Sequence, residues 1–510
     1  MAIVEPGPST GARRRLRLRS PATLEDLGEI EVADADAVRA AVARARAAQP
    51  AWAARTFAER GEFMRRALDI LVARPDDFAS VVQRETGKSK IEALMMEVFA
   101  SCDSLTYWPK RAPRILKDRK VRMHLLGPMK QLRITYRPLG VVGIITPWNG
   151  PFVLSLNPTV QALMAGNTVV LKPSEASPMS GKLVADLFQE AGLPPGALEV
   201  VLGDGETGEA LINSEIDKIS FTGSVATGRR IAETCGRRLI PCTLELGGKD
   251  PFVVCADADV DRAAGAAVFN SMVNSGQVCM SVERVYVVDA VADAFIERVV
   301  REVRGLRQSE TGDGDVGPIF RAEQMGVIER HVADAVAKGA RVLAGGRRAP
   351  GLRGLFYEPT VLVDVTHDMS IMREETFGPV LPILRVRDEV DAIRLANDSG
   401  YGLTASLWTR DRERGLAVAR RLEAGSVCVN DASVTYGALE APFGGMKASG
   451  VGRVNGEEGL RGFCHAQPIL VQRFGSRREA IWYPHTRETE QTLRKAMRWL
   501  WGTPLGRLLS

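Results

Sequence analysis

Two periodicities divide the chain. Over residues 37–48 and Phe57–Ala73, apolar positions recur every three to four residues among Ala, Arg and Leu, the spacing of amphipathic helices. The first hundred residues read as helical throughout. From Val141 the pattern alternates: short β-branched runs at Val141–Ile145, 169–171, 198–202 and 218–221 are separated by helical stretches at 158–165, 179–191, 206–213 and 227–234. After Glu245 the alternation restarts, with strands predicted over 251–254 and 285–288 and helices over 260–273 and 292–303. Strand-then-helix repetition at this spacing predicts parallel sheets with helices on their faces. The break near Gly247-Gly248 separates two such α/β units.

Two segments depart from this scheme. Residues 139–171 carry no charge over more than a membrane-spanning length. Pro147, Pro151 and Pro158, with Asn149, Asn157 and Asn167, break that stretch, which therefore reads as buried strand, loop and helix. Near the end, Leu493, Ala496, Met497, Leu500 and Trp501 fall on one helical face with Arg494, Lys495 and Arg498 between them. This basic amphipathic helix is read first as packing on its own body or a sister subunit, with a peripheral membrane contact as the alternative.

Composition narrows the class. With 45% hydrophobic and 25% charged residues, the chain is an ordinary globular one, which excludes collagen-like, coiled-coil and disordered classes. Residues 473–510 hold eight Lys/Arg and three Asp/Glu; removing them from the totals of 67 and 62 leaves 59 of each. A neutral body argues against nucleic acid as a partner. The seven cysteines form no C-x-x-C pair and no zinc-like spacing, so no metal is expected and reduced thiols point to a cytoplasmic protein. The N-terminal Arg13, Arg14, Arg15, Arg17 and Arg19 are followed by no apolar run, so no secretory leader is read there.

Two loops could hold a phosphate. Gly203-Asp-Gly-Glu-Thr-Gly208 matches the dinucleotide fingerprint, but Asp204 and Glu206 place two carboxylates where a pyrophosphate should approach. Phe221-Thr-Gly-Ser-Val-Ala-Thr-Gly228, which also leaves a strand and enters a helix, carries small uncharged residues after Phe221, with Arg229 just beyond, and is preferred. Cys279, in the polar run Asn274-Ser-Gly-Gln-Val-Cys279, is the candidate nucleophile. Glu245, isolated between leucines, is either a general base with a raised pKa or a partner for Lys249. Histidine is scarce, and none lies near these motifs in sequence.

Together these motifs resemble the aldehyde dehydrogenase superfamily, in its NAD(P)-dependent, non-acylating branch, over about residues 37–473. Thr146-Pro-Trp-Asn149, Lys172-Pro-Ser-Glu175, Phe221-Thr-Gly-Ser224, Leu244-Glu-Leu-Gly-Gly-Lys249, Gly276-Gln-Val-Cys279, Glu374-Glu-Thr-Phe-Gly-Pro379 and Pro442-Phe-Gly-Gly-Met-Lys447 stand in the family's order. The resemblance implies an aldehyde-dehydrogenase-like α/β fold of two doubly wound domains with a small β oligomerisation element. Residues 1–115 and 139–247 would form the NAD-binding domain, 248–446 the catalytic domain, 116–138 and 447–475 the oligomerisation element, and 476–510 the tail. A homodimer or homotetramer is expected.

The resemblance also implies roles. Cys279 would attack the aldehyde, Asn149 would stabilise the oxyanion, and Glu245 would activate water to hydrolyse the thioester. Ile145, Thr146, Pro147, Trp148, Lys172, Ser174, Glu175, Gly203, Gly208, Phe221, Gly223, Ser224, Leu246, Glu375 and Phe377 would contact the cofactor. The Glu175 carboxylate would favour NAD over NADP by accepting from the ribose hydroxyls and repelling a 2′-phosphate. Gly150 stands where many relatives carry an aromatic residue, so the substrate tunnel, lined by Trp148, Gly150, Phe152, Leu154, Met280 and the 431–439 loop, is expected to be wide. No cation there is dedicated to a distal carboxylate, which points to a medium or long apolar aldehyde, with succinate semialdehyde as the alternative. A CoA-acylating enzyme is disfavoured by Glu245, and a catalytically silent cofactor-binding protein by the joint presence of Asn149, Glu245 and Cys279.

Overall fold

The computed structural model describes residues 4–6, 14–124, 126, 129–475, 478–479 and 482–509. Arg13, read above as part of the basic N-terminal run, and residue 476, where the tail was expected to begin, lie outside them.

Two large sheets organise the chain. In the first, parallel strands run in the order Cys242–Glu245, Lys218–Thr222, Val141–Ile145, Thr168–Lys172 and Leu198–Val200, with the short strand Gly450–Val451 added antiparallel at the edge. Val141–Ile145, Thr168–Lys172 and most of Lys218–Thr222 are buried on both faces, as their unbroken apolar runs require. The strand order reverses between Val141–Ile145 and Lys218–Thr222, and a crevice opens beyond the carboxyl ends at such a switch point. The second sheet holds seven strands, with Asp250–Val254, Val282–Val288 and Val380–Val386 at its centre and Arg341–Ala344 alone antiparallel. The fold is mixed α/β with parallel sheets, as expected. The uncharged stretch 139–171 resolves into strand Val141–Ile145, helix Val153–Met164 and strand Thr168–Lys172. Among the described residues no helix is long and apolar enough to cross a membrane.

Antiparallel pairing supplies the rest. Lys130–Pro138 lies between Cys464–Gln472 and Arg119–Val121. The outer strand exposes Ile469, Leu470 and Val471.

The N-terminus departs from the helical reading. Arg15–Arg19 and Asp26–Glu31 pair as antiparallel strands, with Val4–Pro6 on the outer edge. Arg-Leu-Arg-Leu-Arg has period two, and burying Leu16 and Leu18 on one face while the arginines meet Glu29 and Asp26 is a strand's solution. The helices follow as read: Ala35–Ala53 is capped by Asp34, and Phe57–Ala73 by a Thr56–Glu59 capping box. Helix Val153–Met164 begins five residues before the predicted start at Pro158. Its N-terminal amides at Phe152 and Val153 are satisfied by Glu97, at 3.1 and 2.9 Å, from the helical segment Ala93–Phe99.

Candidate active site

Cys279 follows a run of unusual backbone. Asn274, Ser275 and Gly276 are all left-handed, with φ of 53°, 58° and 71°. A Cβ at Gly276 would sit 2.1 Å from the Gly378 carbonyl oxygen, so only glycine fits there. Each such non-glycine residue costs about 1–3 kcal/mol and persists only where its surroundings over-determine it. Here they do. Asn274 N–H donates to Glu92 (2.6 Å), Ser275 Oγ to the Gly317 carbonyl (2.7 Å), and Gln277 Nε2 to the Asn274 and Pro318 carbonyls. The partly buried Cys279 side chain packs with Met280, Tyr436, Leu403, Phe443 and Val454. Burial, then the negative charges of Asp250, Glu245 and Glu375, push its thiol well above the ordinary range.

Asn149 is tied to the same loop. Its Nδ2 donates to the Gln277 carbonyl at 3.0 Å, which fixes the amide and leaves the second N–H to point elsewhere. Its own carbonyl accepts from Asn274 Nδ2 (3.0 Å) and from the Lys88 ammonium. Lys88 is paired at 2.5 Å with Glu97, and both are almost fully buried. Glu97 is also the cap of helix Val153–Met164. One buried ion pair therefore holds both the backbone of Asn149 and the helix that follows it.

Glu245 ends strand Cys242–Glu245 and is 5% exposed. Among the described residues neither carboxyl oxygen has a hydrogen-bond partner. Desolvation raises its pKa well above the carboxylate range, with Arg453 opposing. The alternative role left open by the sequence is excluded by geometry: the fully buried Lys249 pairs with Glu283 at 2.5 Å. Glu283 in turn accepts from the backbone of Thr376 (2.8 Å) and Phe377 (2.9 Å), which bolts down the 374–378 turn. Glu375 accepts from Gly248 N–H at 2.9 Å, and its buried carboxyl is pushed up to about 8.

A cleft of about 720 Å³ opens at the switch point of the first sheet. Ile145, Thr146, Pro147, Trp148, Lys172, Ser174, Glu175, Gly208, Phe221, Gly223 and Ser224 line it, as read from sequence. Helix Val225–Arg238, capped by Ser224, presents its N-terminus there, and a Cβ on Gly223 would press within 2.5 Å of the Phe221 ring. Gly203, Leu246, Glu375 and Phe377 are not among the lining residues. Gly203 makes a tight turn in which a Cβ would collide with Thr207, while Asp204 caps the following helix and pairs with Arg14 at 2.6 Å. Leu246 is buried beneath Gly228. Phe377 meets Trp148 edge to face, and Trp148 stacks on Phe320 at 5.0 Å.

Sequence reasoning missed Arg321. It enters the cleft from the far half of the chain and meets Glu175 at 3.4 Å, opposite Lys172 at 3.5 Å. No motif surrounds it, so nothing in the sequence marks it. Two tunnel expectations change. Phe152 is fully buried against Phe78, in the core. Beside Gly150, Leu154 takes up room: a Cβ on the glycine would lie 3.0 Å from Leu154 Cδ1.

A crevice at the switch point of a parallel sheet, lined as far as Trp148, leads on along the chain to the Asn149 amide that is bonded to the Cys279 loop, the arrangement of a two-sheet α/β enzyme. The chain belongs to the aldehyde dehydrogenase family, whose model matches residues 9–469. It is 42% identical over 465 residues to a putative succinate-semialdehyde dehydrogenase [NADP(+)] of Mycolicibacterium smegmatis, covering 91% of this chain and 90% of that one. It is 40% identical to a 4,4'-diapolycopene aldehyde oxidase of Methylomonas, covering 93% and 89%. Among solved structures, a Mycobacterium tuberculosis aldehyde dehydrogenase complexed with NAD+ superposes with a TM-score of 0.87 at 36% identity, covering 92% and 97%. The fold is thus the aldehyde dehydrogenase fold.

The Lys88–Glu97 pair yields a double-mutant test. Glu97→Gln and Lys88→Met should each lower stability by about 3–5 kcal/mol, because each strands a buried partner. The double variant should lose clearly less than the sum, read from denaturant midpoints at constant slope. Additive losses would show that the two side chains do not act as a unit.

Proposed function

We propose that this chain oxidises a medium or long apolar aldehyde to its carboxylic acid, with NAD as the hydride acceptor and Cys279 as nucleophile. The observation that carries this reading is Glu245: a carboxyl buried without a hydrogen bond among the described residues, whose charge acts on the partly buried Cys279 thiol. An isolated buried carboxyl is destabilising, and a site that retains one is a candidate for proton transfer.

In this reading the Cys279 thiol gives up its proton to solvent water and adds as a thiolate to the aldehyde carbon, and the second N–H of the Asn149 amide with the backbone N–H of Cys279 stabilises the oxyanion. Such a donor contributes about 3 kcal/mol when aimed at developing charge. The cofactor supplies the acceptor for the hydride that leaves this carbon. Lys172 and Glu175 would hold its adenosine end, and the N-terminus of Val225–Arg238 its phosphates. Glu245 then takes a proton from the water that hydrolyses the thioester at Cys279. Its raised pKa suits a base working near neutrality.

Glu175 supports NAD over NADP, but its charge is shared with Lys172 and Arg321, so the preference is narrow. The NADP(+) in the name of the Mycolicibacterium relative fits that view. For the substrate, the apolar cluster about Cys279 supports a hydrocarbon chain. The name of the Methylomonas relative agrees with this reading, and that of the Mycolicibacterium relative favours succinate semialdehyde instead. Exposed Ile469, Leu470 and Val471 support assembly into a homodimer or homotetramer.

Initial rates of NADH formation with aldehydes of increasing chain length, set against succinate semialdehyde, decide the substrate class. A kcat/KM highest for the semialdehyde would overturn the apolar reading.

Glu245→Gln should give one burst of NADH per subunit and then turn over at least about 10²-fold more slowly than wild type. Cys279→Ala should give no burst. In the wild type, steady turnover should rise with pH above the ordinary carboxylate range, since only deprotonated Glu245 is a base; the glutamine variant should lack this limb. A burst lost together with turnover in Glu245→Gln would assign that residue another role.

Glu175→Ser should move the NADP/NAD ratio of kcat/KM towards NADP by about tenfold, or about 1.4 kcal/mol. It removes a repelling charge and releases Lys172 and Arg321 to meet a 2′-phosphate. An unchanged ratio would place discrimination elsewhere.

A further inference from the structure

Helix Arg487–Gly502 buries none of its residues. Thr486 caps its start, and Glu490 pairs with Arg494 at 2.9 Å one turn on, so the helix is well formed by local interactions alone. Its apolar side is nonetheless open: Leu493, Met497 and Trp501 are 49, 57 and 46% exposed. Trp482 and Tyr483 before it and Leu505 and Leu508 after it are exposed as well. On a helical wheel, Leu493, Ala496, Met497, Leu500 and Trp501 share one arc, and Arg494, Lys495 and Arg498 occupy the arc beside it.

We propose that this helix lies flat on an anionic lipid bilayer, with Leu493, Met497 and Trp501 in the acyl boundary and Arg494, Lys495 and Arg498 against the headgroups. Charge separates this occupant from a second copy of the chain. Between Leu493 and Gly502 stand three cations and no carboxylate, whereas the body before residue 473 balances 59 cations with 59 anions. The body of another copy thus offers the tail no net charge attraction; an anionic membrane does. The helix rules itself out as a span. Its 16 residues reach about 24 Å, short of a hydrocarbon core of about 30 Å, and charge interrupts them. Tryptophan at such a boundary suits a ring that is apolar with one polar N–H. This inference stands on the tail alone and does not depend on the catalytic reading.

The test is co-sedimentation of the full chain with vesicles of phosphatidylcholine, alone or mixed with phosphatidylglycerol, at low and high salt. Binding is expected to the mixed vesicles, with a blue shift of tryptophan fluorescence, and to weaken with salt. Each basic residue near an anionic surface is worth about fivefold in affinity, so Arg494→Gln/Lys495→Gln/Arg498→Gln should weaken binding on the order of a hundredfold. Leu493→Glu/Met497→Glu should abolish binding with the melting curve of the body unchanged, because neither side chain is buried. Absence of binding to the mixed vesicles, or equal binding to both compositions, overturns the proposal. So does a Leu493→Glu/Met497→Glu variant that binds as wild type, or one that changes oligomeric mass by light scattering, which would make a second copy the occupant.

Discussion

Gly247 and Gly248 carry the backbone from the strand that ends in Glu245 to Lys249 and the central strand of the second sheet, and no side chain fits along that passage. A Cβ at Gly247 would lie 2.6 Å from a Glu375 carboxyl oxygen, and one at Gly248 would lie 2.6 Å from the Cys279 carbonyl oxygen. Both clashes fall on elements that belong to the second half of the chain. The proposed base, the 374–378 turn and the proposed nucleophile converge because this one connection is thin enough for all three to touch it. Over-packing commonly costs about 1–3 kcal/mol, and here the strain would be divided between two sheets that must stay in register.

Buried charge supplies the stiffness around that passage. Lys88–Glu97 and Lys249–Glu283 are each withdrawn from water, which by itself destabilises the fold. Each is also saturated with backbone partners: Asn149 carbonyl, Phe152 and Val153 amides for the first, Thr376 and Phe377 amides for the second. A hydrophobic pair of similar volume offers no donor or acceptor to those groups. What the ion pairs contribute is placement of two turns, one on either side of the thiol.

The fold was legible from sequence where its signal is local. Parallel strands buried on both faces show as unbroken β-branched runs, and capped helices show as Asp34 or Thr56–Glu59 before an apolar period. Arg15–Arg19 was misread because a five-residue alternation is too short to outweigh a long helical composition around it. The site was legible where its parts are contiguous, as in Phe221–Ser224 or the run ending at Cys279. Where two distant segments combine, the sequence is mute. Arg321 meets Glu175 across 146 positions, and Glu97 accepts from the Phe152 amide across 55. The fingerprint at Gly203 misleads for the opposite reason: its local pattern is intact, yet Arg14 and the helix cap already occupy its carboxylate.

The three carboxyls that surround Cys279 have a bearing on its chemical durability. Peroxides and alkylating agents attack the thiolate, and a thiol kept protonated by burial and by negative neighbours reacts slowly with them. Burial and negative neighbours both act against the thiolate, the form that oxidants attack. The reactivity of Cys279 is therefore tied to occupation of the site, where a change in nearby charge or solvation releases the proton.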